Sequence, residues 1–278
     1  MSDLRSAIQG QVRTLFGTTD ANQLDLTRPE GDEGLFGPDS AAWRVHGDFT
    51  AMMIGGVASL LLQMLHPAAL AGVWDHSGFR RDMQGRLRRT AQYLSGTTFG
   101  STATAEALIA RVRAVHAHVH GTLPDGTAYS ANDPALLTWV HAAEVHCFLA
   151  AYRRHVDPAM PAAEQDRYLA EMAEPARRLG AVDVPETRAA LDAYLRALRP
   201  ALRYDHRTRE VTRALLGQPA PTPALAPFRT LTMTAAVDLL PDWATRMHGL
   251  VQPAVQRAGI RAGVAGVGSV MRWALKGG

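Results

Sequence analysis

Arg86, Arg89, Thr90 and Tyr93, in the stretch RLRRTAQY, recur at i, i+3, i+4 and i+7, the spacing that sets side chains along one stripe of an α-helix. Two guanidiniums and two hydroxyls on one stripe suit the holding of an anion, or the donation of hydrogen bonds to oxygen charge as it develops in a reaction. Buried against hydrocarbon they would be costly. The stripe therefore either faces solvent or lines a cavity that holds something anionic or polar.

A second set of chemistry-bearing residues is the histidines. Nine of the eleven lie between His46 and His155, which directs the search for a site to the first half of the chain. His116 interrupts an apolar stripe formed by Leu108, Val112, Val115 and Val119, so it is expected to point inward, with His120 nearly on its face and His118 toward water. A buried neutral imidazole offers a lone pair without a charge to desolvate, which is why it so often ligates iron, zinc or copper. In WVHAAEVHCF, His141 and Glu144 share a face at i and i+3, and a carboxylate there can orient an imidazole, act as a base or bind metal. Three metal arrangements follow. A carboxylate-bridged di-iron centre is disfavoured, because the order Glu-x-x-His is reversed and no matching carboxylates occur on other helices. A mononuclear non-haem metal held by His116, His120 and His141 stays open, as does a haem whose iron takes an imidazole and whose propionates take arginines. Nucleophilic chemistry finds little support, since there is no G-x-S-x-G elbow and Cys147 sits in a setting that suits packing.

The elements that must position these groups read as helical almost throughout. STATAEALIARVRAVHAHVHG opens on hydroxyl residues that can cap a helix and reaches Gly121 at its end, so the spacing predicts a helix over 102–120. Asp133 caps and Pro134 opens the next helix, DPALLTWVHAAEVHCFLAAYRRHV, while TLPDGTAYS between them reads as a turn or a short two-stranded excursion. Asp39 or Ser40 can cap the helix that leads into residues 51–74. That segment, AMMIGGVASLLLQMLHPAALAGVW, has no charged residue over a length that would cross a bilayer. Gln63, His66 and Pro67 break it past its middle, so the expectation is a helix buried in a protein core whose polar end lines a cavity. Further helices are expected in AAEQDRYLAEMAEPARRLG and ETRAALDAYLRALRP, with GQPAPTPALAP as a linker to a last helical pair. Alternating β-branched runs are absent, which makes the fold class an all-α, single multi-helix bundle.

Length and composition agree with one domain. At 278 residues and 47% apolar content the chain can bury a substantial core, and no Gly/Ser linker or charge block divides it. Residues 1–39 are read as an N-terminal helix and wrapping loop, 40–250 as the core and 251–278 as a basic C-terminal helix. A net charge of +3 is too small and too scattered to indicate nucleic acid. The single cysteine excludes an intrachain disulfide, and MSDLRSAIQGQVRTLFG lacks the apolar run of a secretory signal, so a cytoplasmic location is expected. GVAGVGSV near the C-terminus has neither a preceding strand nor a following acidic residue, and is read as close helix packing. Around it Arg257, Arg261, Arg272 and Lys276 form a segment without acidic residues, for which peripheral contact with anionic lipid competes with a solvated final helix.

Taken together, LLQMLHPAALAGVWDHSGFRRDMQGRLRRTAQY, VRAVHAHVHG and DGTAYSANDPALLTWVH, with a later Leu-Pro and Arg segment, resemble the large bacterial family that shares a catalytic domain with the latex-clearing rubber oxygenase and the mycophenolic-acid pathway oxygenase MpaB. The resemblance spans roughly residues 40–250, and its ordered motifs are more specific than any one of them. It implies an all-α domain with a globin-like core holding one haem b, and oxidative cleavage of isoprenoid double bonds with O₂. It further implies that His116 is the proximal ligand, with His141 as the alternative, and that Arg86, Arg89 and Thr90 correspond to an Arg-x-x-Lys-Thr active-site helix. His66 and His76, in the LHP and DHS motifs, are expected beside the cofactor or at helix ends. One departure stands out: the lysine able to ligate iron on the distal side is Arg89 here, and a guanidinium stays protonated and cannot ligate. The expected function is thus a haem-b oxygenase acting on a small apolar, isoprenoid or lipid-like substrate, with a non-catalytic haem or lipid binder and a non-haem metal enzyme as alternatives. The sequence sets neither the oligomeric state nor a redox partner.

Overall fold

A computed structural model describes residues 5, 6, 9, 10, 24 and 26–275. The expected N-terminal helix falls largely outside the described residues, as does Lys276. From residue 41 onward the order is α1 (Ala41–His46), α2 (Phe49–Gln63), α3 (Pro67–His76), α4 (Phe79–Phe99), α5 (Thr102–His116), β1 (His120–Thr122), β2 (Ala128–Ser130), α6 (Pro134–His155), α7 (Ala162–Leu179), α8 (Arg188–Leu198), α9 (His206–Leu216), α10 (Ala226–Leu239), α11 (Asp242–His248) and α12 (Ala254–Leu275). The chain is an all-α bundle with one small antiparallel ribbon.

Caps written in the sequence start the helices. Ser40 accepts from Trp43 N at 3.1 Å, Ser101 from Thr104 N at 3.1 Å, and Asp133 from Leu136 N at 2.9 Å with Pro134 in the first turn. Asp48 does the same for α2. The chargeless segment is two helices, α2 and α3, bent by 103° at residues 64–66, and among the described residues no single helix is long and apolar enough to cross a membrane. The bend has a local cause, since Pro67 cannot continue the hydrogen-bond ladder and instead opens α3.

The core is organised around α2 and α6, which share the most extensive helix contact. A Cβ at Gly55 would lie 2.7 Å from Phe148 Cδ1, 3.0 Å from Phe148 Cα and 3.1 Å from the Cys147 carbonyl oxygen. Only glycine permits so close an approach of the two backbones. Ile54, Ala58, Leu61 and Leu62 on α2 and Trp139, Val145 and Phe148 on α6 are buried around the crossing. The Trp139 indole donates to the Gln63 carbonyl at 3.3 Å, an acceptor at the end of α2 that also takes the His66 N–H at 3.1 Å.

Two sequence expectations are corrected here. The helix predicted over 102–120 ends at His116, because residues 118–122 turn away to pair with 128–130, with Ala131 N donating to Val119 O and Tyr129 packed on Gly121. The end of the chain holds three α-helices, α10 to α12, where a pair was expected. The arginines of α12 face carboxylates of the domain: Arg257 and Arg261 reach Asp238 at 2.5 and 2.9 Å, joined by Arg154 at 3.2 Å, and Arg272 reaches Asp48 at 3.1 Å. Burial opposes ionisation of Asp238, yet the hydrogen bonds from Arg261 and Arg257 and the charge of Arg154 hold its carboxyl below the ordinary range.

The α2–α6 crossing yields a paired prediction. Gly55→Ala should lower unfolding free energy by about 1–3 kcal/mol through overpacking, whereas Gly56→Ala, whose Cβ would lie 3.7 Å from Phe148 Cε1, should be neutral or mildly stabilising. Urea denaturation of both variants checks this; equal effects would deny the backbone contact its role.

Candidate active site

On α4, residue Asp82 has non-helical dihedral angles (φ −146°, ψ 63°), and its Oδ1 accepts from Gly85 N at 2.7 Å. It acts as an internal cap, and a Cβ at Gly85 would fall 2.0 Å from Asp82 Oδ2, so glycine is required there. The helix beyond the kink fixes which part of the stripe turns inward. Arg86 and Tyr93, separated by seven residues and nearly aligned, sink into the protein, while Arg89 and Thr90 lie on the exposed shoulder. Arg89 pairs with Asp82 at 3.5 Å with both side chains more than half exposed, and the Thr90 hydroxyl donates to the Arg86 carbonyl at 3.2 Å. The spacing thus groups four residues that the structure divides two and two.

Arg86 has no carboxylate partner among the described residues. Burial first, and the neighbouring charge of Arg89 second, bring its guanidinium down to about 10. Its charge acts on His116, at the C-terminal end of α5, whose inward stripe is Ala105, Ile109, Val112 and His116; Val115, expected on that stripe, is exposed. His116 Nδ1 is buried with no hydrogen-bond partner, and burial followed by the charge of Arg86 holds the ring below its ordinary pKa. His118 and His120 are exposed. Among the described residues no three His, Cys, Asp or Glu side chains are grouped to hold a metal ion, so the His116, His120 and His141 arrangement does not form.

From α6 come His141 and Glu144. His141 Nε2 is buried without a partner, and burial, reinforced by Arg177 of α7, pulls the ring down to about 4. Burial alone pushes the Glu144 carboxyl up to about 7. Its charge adds to burial in raising Tyr93 of α4 and Tyr168 of α7, which puts Glu144 within electrostatic reach of both. Tyr168 also forms a chain that the sequence reading missed: its hydroxyl meets His46 Nε2 at 3.0 Å, and His46 Nδ1 meets Thr98 Oγ1 at 2.8 Å, all three side chains buried. Burial drives His46 down to about 3. Tyr168 lies 122 positions from its partner, and no local spacing announces such a contact.

The other two predicted histidines serve the scaffold. His66 caps α3, its Nδ1 accepting from Ala68 N at 3.3 Å, with its ring 5.9 Å from that of Trp139. His76 is exposed and meets the Tyr129 hydroxyl at 3.2 Å, while that hydroxyl donates to Asp75 at 2.8 Å, tying the ribbon to α3. Two clefts of about 440 and 290 Å³ lie elsewhere, the larger beside α9 and α11 and the smaller beside α10 and α11.

These groups titrate in opposite senses. His46 and His141 have folded values near 3 and 4, below the ordinary 6.5, so their contribution to stability is lost as pH falls below 6.5. Glu144 is raised from 4.5 to about 7, so its contribution is lost as pH rises across that interval. Relative to the parent chain, Glu144→Gln should therefore gain stability progressively between pH 4.5 and 7, by on the order of 1–3 kcal/mol, and then level off. Denaturation curves that stay parallel across this range would contradict the burial of that carboxyl.

Comparison with known proteins bears on the same helices. A family model described as ER-bound oxygenase mpaB/B'/Rubber oxygenase, catalytic domain, matches residues 43–273. No curated protein and no solved structure matches the chain. The match runs from α1 through most of α12 and takes in every residue of the Arg86, His116 and Glu144 group, so the chain belongs to the family of mpaB and rubber oxygenase catalytic domains.

Proposed function

We propose that this chain is a haem-b oxygenase acting with O₂ on an apolar, isoprenoid or lipid-like substrate. The observation that carries the reading is a neutral imidazole with a buried, unpartnered nitrogen beside a half-buried guanidinium that has no carboxylate. An imidazole and a guanidinium without protein partners are a donor set that iron together with a propionate would satisfy. The donor set therefore fits the group that membership in an oxygenase family suggests.

In this reading His116 holds the iron and Arg86 faces a propionate. Haem, when bound, supplies the metal centre at which O₂ is activated. The protein's own side chains do the rest. Tyr93 keeps its proton, because burial and Glu144 raise it, and so remains a hydrogen-bond donor. Glu144, near 7, can carry or release a proton close to neutrality, the property required of a general acid or base. His141 stays neutral and offers a second imidazole. Apolar residues such as Leu94 and Ile109 on α4 and α5 exclude water, which strengthens each of these interactions. Arg89, turned outward to Asp82, takes no part on the distal side, and Thr90 is spent on its own helix.

Titration of the purified chain with haemin should produce a Soret band that His116→Ala abolishes and His141→Ala retains. Arg86→Leu should weaken haem retention roughly tenfold or more. Oxygen uptake with a polyisoprene or squalene as substrate then tests turnover. A Soret band indifferent to His116 would remove the basis of the reading.

A further inference from the structure

The larger cleft, about 440 Å³, opens between α9 and α11, and none of the Arg86, His116, His141 and Glu144 group lines it. Arg209 and Arg213, one turn apart on α9, stand at its edge, and Tyr204, Leu216, His248 and Leu250 complete its wall. The acidic residues nearest on the chain are already engaged, Asp205 with Arg207 at 3.0 Å and Glu210 with Arg80 at 2.5 Å. Among the described residues neither Arg209 nor Arg213 has a hydrogen-bond or ion-pair partner from its side chain. Like charges at i and i+4 repel, so the pair is mildly unfavourable until an anion bridges it.

The wall of the cleft is fixed and largely apolar. His248 is buried, and its Nε2 lies 2.9 Å from the Leu61 carbonyl, which can only accept, so that nitrogen carries the proton. Its Nδ1 then accepts from the Thr212 hydroxyl at 3.4 Å. With both nitrogens committed, the ring presents a hydrocarbon surface, against which Tyr204 packs edge-on at 5.5 Å between centroids. Tyr204 itself is 37% exposed, an aromatic left partly open at the mouth.

We propose that this cleft binds a single-chain amphiphile bearing a carboxylate, with the head bridged by Arg209 and Arg213 and the chain laid along Tyr204, Leu216 and Leu250. The volume falls in the range of small-molecule sites. Guanidiniums are matched to a carboxylate by their paired donors. A concave site of this size favours a free molecule over the face of a bilayer.

Isothermal titration of the full chain with laurate tests the assignment. Expected is one saturable site that Arg209→Gln/Arg213→Gln weakens roughly tenfold or more, that Leu250→Trp weakens by filling the cleft, and that Arg86→Leu leaves intact. Far-UV circular dichroism confirms that each variant is folded. Equal affinity in the double arginine variant, loss on Arg86→Leu, or retention on anionic vesicles without any laurate site would each overturn the proposal. None of these results depends on haem binding, so the two readings fail separately.

Discussion

The close approach of α2 and α6 at Gly55 is the constraint on which the remaining architecture rests. It brings the Phe148 backbone within van der Waals reach of a residue that has no side chain, and so sets how deep α6 lies in the bundle. His141 and Glu144 ride on that helix, about two turns and one turn before the crossing. Their burial, and the perturbed protonation that follows from it, is a consequence of helix packing more than of any local hydrogen bond. α10 flanks α2 in turn, and α11 reaches it through His248 and the Leu61 carbonyl.

Polar groups in the interior divide into those the fold satisfies and those it leaves unmet. His46, Tyr168 and Thr98 satisfy one another, and Asp238 of α10 gathers three arginines, Arg154 of α6 and Arg257 and Arg261 of α12, that would otherwise repel. Such groups act as pins that fix helix register, since removing one partner strands the other. Arg86, His116 and His141 behave differently. His116 and His141 each keep a buried ring nitrogen without a protein partner, and half-buried Arg86 lacks a carboxylate, so these groups are candidates for a functional site.

Membership in an oxygenase family gives that group a chemical context. Arg89 points outward to Asp82 across a kinked turn. Hydrogen-bonding capacity on the inner side of α4 consequently passes to Tyr93 and, from the facing helix, to Glu144.

The sequence by itself determined the helical class, the cap at Asp133, the break around Pro67 and the inward sense of His116, and narrowed the other caps to Asp39 or Ser40 and to the hydroxyls from Ser101 onward and the segment 122–130 to a turn or short ribbon, because each follows from local backbone chemistry or from periodicity along one helix. It also carried the family motifs in order. Only the tertiary structure decided that Arg86 and Tyr93 turn inward while Arg89 and Thr90 do not, that α5 stops at His116, that His66 and His76 serve a cap and a ribbon, and that the arginines of α12 meet Asp238 and Asp48. A stripe on a helix spans a range of angles, and which edge of it is buried depends on where neighbouring helices lie. The same holds for His46 and Tyr168: contacts between residues distant in the chain are set by packing, which no local spacing encodes.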